Sequence, residues 1–134
     1  MGTSAQEHLA ELRKLRLEAR SQHNDAALAE AEAAWRDVAP EGAGEGWARA
    51  LLRLGTIQSE RHDPKAIETL NLCRDYWKAQ NKELAYALAT EVLAGAYVNR
   101  GREREAMPYH QECLALYRKH NDRLGEAAAL NNLA

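Results

Sequence analysis

Apolar residues recur at intervals of three and four along most of the chain. Ala66, Ile67, Leu70, Cys73 and Trp77 form one stripe, and Leu84, Ala87, Leu88, Val92 and Tyr97 form another. That spacing predicts helices with one buried face. Asp63 stands where an N-cap belongs, and Pro64 at a first helical position, where a missing N–H costs nothing. Gly101 ends the second stripe. Extended along the chain, the pattern predicts seven helices, near residues 5–22, 25–38, 46–61, 64–80, 83–100, 103–120 and 124–134. Their short connections leave only antiparallel neighbours. The longer connection from Ala39 to Gly46 holds three Gly and one Pro. It is the predicted flexible stretch, yet too short to divide the chain, so residues 1–134 read as one domain.

The pattern repeats. Cys73 and Cys113, Asn81 and Asn121, Leu84 and Leu124, Ala87 and Ala127, and Leu93 and Leu133 each stand 40 residues apart, as do Ala66 and Ala106. A weaker copy at a shift of 39 aligns Leu12 with Leu51, Leu15 with Leu54, Ala27 with Ala66 and Leu28 with Ile67. Each period carries two helices. The units run from about 5 to 38, 46 to 80 and 83 to 120, with a truncated fourth over 124–134.

Leu93-Ala94 with Tyr97, Gly101, Ala106 and Cys113 resembles the tetratricopeptide repeat, a stacked helix–turn–helix unit. Leu54-Gly55, Ala66 and Cys73 follow the same pattern, with His62 near the expected turn glycine. The copy at Leu12, Leu15 and Ala27 is degenerate, and the last keeps Leu130 and Leu133-Ala134. The usual period is near 34, so these helices are longer, similar to the long-helix repeats of bacterial regulatory and signalling proteins. The resemblance implies an all-α, right-handed α-solenoid of stacked antiparallel helix pairs, about three pairs plus one trailing helix. It also implies a protein or peptide ligand on the concave side. The family's groove positions fall on Arg49, Leu52, Thr56, Ser59 and Glu60, on Leu88, Glu91, Gly95, Val98 and Asn99, and on Ala128 and Asn131. A cationic clamp for a terminal carboxylate is disfavoured, because Glu60 and Glu91 would oppose the anion.

Composition narrows the function. Lys+Arg 18 against Asp+Glu 20 gives a formal charge of −2, without the basic excess of a nucleic-acid binder. No apolar run reaches the ~20 residues of a membrane span, and the start Met1-Gly2-Thr3-Ser4 does not open a secretion signal. Two cysteines make no disulfide framework, which favours a cytoplasmic setting. Cys73 and Cys113 read as small residues where paired helices approach, not as metal ligands, although His110 lies near Cys113. No acid–base pair, nucleophile or metal cluster converges, so neither an enzyme nor a cofactor is expected. Trp77 reads as core, and Trp35 and Trp47 as packing together beneath the loop. The basic, amphipathic run Leu12-Arg13-Lys14-Leu15-Arg16-Leu17 with Arg20 is interleaved with Glu7, Glu11 and Glu18, which predicts a solvated helix face.

The sequence stops within what would be the first helix of a fourth repeat. Leu124, Ala127, Leu130 and Leu133 would then present apolar area that a following helix normally covers. That predicts either a fragment of a longer array or self-association through this end. The functional expectation is a non-enzymatic module that binds a protein or peptide partner. An oligomerisation scaffold acting through the C-terminal helix is the alternative.

Overall fold

The computed structural model describes residues 4–38 and 44–133. Within them lie α1 (Ala5–Ser21), α2 (Asp25–Asp37), α3 (Glu45–Glu60), α4 (Lys65–Ala79), α5 (Glu83–Asn99), α6 (Glu103–Lys119) and α7 (Arg123–Leu133). The described residues hold no strand. The fold is all-α, and the periodicity places every helix to within one residue at each described end. Most of the long α2–α3 connection, residues 39–43, lies outside the described residues, as does Ala134.

Local chemistry sets the helix ends. The Ser4 hydroxyl accepts the Glu7 N–H at 3.1 Å while the Glu7 carboxylate accepts the Ser4 N–H, a reciprocal cap on α1. Asn24 caps α2 through Ala27 N–H at 2.8 Å. The Asp63 carboxylate accepts the Lys65 N–H at 2.9 Å at the start of α4. Four turns then share one geometry. His62, Asn81, Gly101 and Asn121 all adopt positive φ, between 55° and 73°. In each turn the residue after this one donates to a carbonyl five positions back: Asp63 to Gln58, Lys82 to Trp77, Arg102 to Tyr97 and Asp122 to Tyr117. These are Schellman endings, and they satisfy carbonyls that the helix leaves bare. Only one of the four uses glycine. His62 occupies the left-handed conformation at the position where the sequence pattern lacks its glycine.

Helices α3 to α7 pack each against the next, and α2 packs on α3. Successive pairs repeat the same close approach. Cys73 Sγ of α4 donates to the Ala48 carbonyl of α3 at 3.5 Å, and Cys113 Sγ of α6 to the Ala87 carbonyl of α5 at 3.3 Å. Both thiols are free and buried, and burial pushes the Cys73 thiol up to about 12. They fill the small-residue positions. Helix α5 departs from the single stripe read from its sequence. Neighbours α3, α4, α6 and α1 cover it, so Leu84 through Ala96 are buried on nearly every side. Trp77 is core, at 1% exposure. Trp47 lies against Tyr76, with ring centroids 6.2 Å apart, and is not stacked on Trp35.

Helix α1 departs furthest from expectation. The repeat pattern pairs it with α2, but it scarcely touches α2 and packs on α3 and α5 instead. The cause lies in its composition. Leu9 and Leu12 have no exposed surface, and the arginines on the same face find carboxylates on α5 and at the α6–α7 turn.

Candidate binding face

Arg13, Arg16 and Arg20 project from α1 on the side that carries Leu9 and Leu12, because positions three, four and seven apart share a helix face. The Arg13 guanidinium forks onto both carboxylate oxygens of Asp122 and lies 5.5 Å from the centre of the Tyr117 ring. Arg16 donates to Glu91 Oε2 at 2.6 Å, and the Tyr117 hydroxyl donates to Glu91 Oε1 at 2.8 Å. Arg20 lies 3.9 Å from Glu60. At the other end, His8 Nε2 is 2.6 Å from Glu45 Oε1, and its ring meets Trp77 edge-on at 5.3 Å. With His8 beside the start of α3 and Arg20 beside its end, α1 runs in the same direction as α3.

Burial makes these pairs matter. The Glu91 and Asp122 side chains are only 8% and 7% exposed, so each depends on its cation. Burial alone would raise the Asp122 carboxyl, but bonds from Arg13 and the Gly125 N–H outweigh it and hold the group below its usual value. The Tyr117 phenol is pushed well up by burial and by Glu91, which keeps it a donor. His110 is buried beside this network, and that burial lowers its imidazole, with Glu91 pulling the opposite way. Leu9 and Leu12 each contribute about 2 kcal/mol of apolar burial.

The expected groove residues separate into three groups. Thr56, Ser59, Glu60, Glu91, Gly95, Val98, Asn99, Ala128 and Asn131 come together around an open cleft of about 350 Å³ beside the C-terminal half of α1. Arg49 borders a different cavity, of about 550 Å³, with His8, Glu45, Glu83 and His120, and is tied to Glu45 and Glu11. Leu52 and Leu88 are 1% and 0% exposed within the core shared with Leu9 and Leu12. They are therefore not free to meet a ligand, because α1 closes that part of the face. Glu91 is likewise taken by Arg16 and Tyr117.

Arg16, Arg20, His110 and Asn132 also line the cleft, and the family pattern names none of them. For the arginines the signal is present in the sequence. A solvated face is correct for exposed Lys14, Leu17 and Glu18 but not for Arg13 and Arg16, whose spacing matches the buried leucines. On α7, Gly125 and Ala129 are buried. Leu124 and Leu130 are 68% and 44% exposed, Ala127 is exposed and Leu133 half-buried. Among the described residues, no three metal-ligating side chains converge and no helix is long and apolar enough to cross a membrane. Comparison with protein-family models, with curated proteins and with solved structures finds no match.

Proposed function

We propose that this chain is a non-enzymatic module of the tetratricopeptide kind, a right-handed stack of antiparallel helix pairs. It binds a segment of a partner protein on its concave side, as part of a cytoplasmic regulatory or signalling protein. The left-handed turns at steps of 19 or 20 residues support the stacked arrangement, as do the equivalent Cys73 and Cys113 bonds. The observation that carries the functional reading is α1. The face of α3 and α5 already holds a helix, seated by two buried leucines and by guanidinium–carboxylate pairs. Such a preformed surface fixes orientation through its polar groups and draws affinity from its apolar area.

The test uses residues of the open cleft that take no part in the charge pairs of α1. Val98→Glu with Asn131→Ala should abolish retention of partners that the wild-type chain captures from lysate, with no change in melting temperature. An unchanged set of retained proteins would contradict the reading. Exposed Leu124 and Leu130 favour a second reading, self-association through α7. If it holds, sedimentation should show a concentration-dependent oligomer that Leu124→Ser with Leu130→Ser returns to monomer. A monomer at every concentration would remove it.

A further inference from the structure

The geometry points to a ligand class for this face: a basic amphipathic helix of a partner protein, which takes the place of α1. The inference rests on the groove reading above and adds the chemistry that would be recognised. Helix α1 is the resident example. Its seat presents two nearly buried carboxylates, Glu91 and Asp122, with Glu60 further along, and they meet Arg16, Arg13 and Arg20 in turn. A helix lacking cations at these positions would leave both carboxylates buried without a counter-charge. An acidic helix would add repulsion to that cost. The seat therefore selects guanidinium groups at one, four and eight in register, on the same face as two leucine-like residues three apart.

Displacement is open to α1 because of how it is attached. Residues 22–24 alone join it to α2, which it scarcely touches. Helices α2 to α7 form an unbroken chain of neighbours without it. An incoming helix also has space that α1 borders with Arg16 and Arg20 but does not fill. The cleft of about 350 Å³ between the C-terminal half of α1 and α7 is bordered by Gly95, Val98, Asn99 and Asn131. Larger side chains on that flank of a partner helix would fill it, so a separate chain can compete against a tethered one.

The experiment uses the full chain carrying Arg13→Glu and Arg16→Glu, which unseat α1, and two fluorescent peptides. One has the sequence Ser4–Gln22; the other replaces its three seat-facing arginines with glutamate. The basic peptide should bind the variant at least about tenfold more tightly than it binds the wild-type chain, and the acidic peptide should not bind. Adding Glu91→Gln to the variant should weaken the basic peptide by about tenfold again. Equal binding of both peptides would overturn the charge-selected ligand while leaving the groove reading intact. Absence of binding to a variant that still melts cooperatively would overturn the inference, and the Val98→Glu experiment decides the groove reading separately. A wild-type dimer that the basic peptide dissociates would mean that the occupant is the α1 of a second copy, and would overturn a separate partner. If the double reversal does not fold, Arg16→Ala loosens the seat while Arg13 stays paired, and the same peptide comparison applies.

Discussion

Gly125 shows how little room single residues have at the turn that receives Arg13. A Cβ there would collide with the Tyr117 ring and lie 2.6 Å from the Asp122 carboxylate. The ring is pinned between Arg13 and Glu91, so it cannot give way. Gly125→Ala should therefore cost about 1–3 kcal/mol of stability, as overpacked cores do, measured by urea unfolding. Protonation reports on the same region. Because burial lowers the His110 imidazole below its ordinary 6.5, the unfolded chain takes up this proton first. Its contribution to stability is complete above that pH and declines as pH falls below it. Asp122 is depressed instead by its partners, and its contribution is lost only in stronger acid, below its ordinary 3.8. The melting temperature should thus drop between pH 7.5 and 5.5, and His110→Gln should flatten that slope. An unchanged slope would remove His110 as its source.

At the level of elements, the helices were legible because most bury one face, and a period of three and four shows it directly. The turn chemistry was half legible. Gly101 announces itself, whereas Asn81, Asn121 and His62 carry the same left-handed conformation without glycine. Asparagine tolerates that conformation, and the Nδ1 of His62 sits 2.7 Å from the Asn99 carbonyl, which holds the ring in place. Gly101→Ala should accordingly cost about 1 kcal/mol, and Asn121→Gly should raise stability by a few tenths to about 1 kcal/mol. Both are read from thermal unfolding, and a gain from Gly101→Ala would contradict the shared turn geometry. The place of α1 was not legible. Periodicity says which side of a helix is apolar, but not which neighbour receives it. The receiving carboxylates, Glu91 and Asp122, lie 75 and 109 residues along the chain from their arginines.

For the molecule as a whole, nine expected groove positions — Thr56, Ser59, Glu60, Glu91, Gly95, Val98, Asn99, Ala128 and Asn131 — meet at one cleft. Leu52 and Leu88 do not, since the chain covers them with its own first helix. Local pattern could locate the face because equivalent positions in a repeat share a side. It could not show that the face is occupied, because occupancy depends on charge pairing between distant segments. The proposed function requires α1 to be a separately seated helix on the face of α3 and α5. Hydrogen exchange along the intact chain at rising salt tests it most directly. Salt screens the half-exposed Arg20–Glu60 pair and, more weakly, the Arg13 and Arg16 pairs, whose carboxylates are buried, so amides in residues 5–21 should lose protection before those of α4, α5 and α6. If α1 stays as protected as α5 at every salt concentration and opens only with the whole molecule, α1 is a fixed part of the core and not a displaceable occupant of that face.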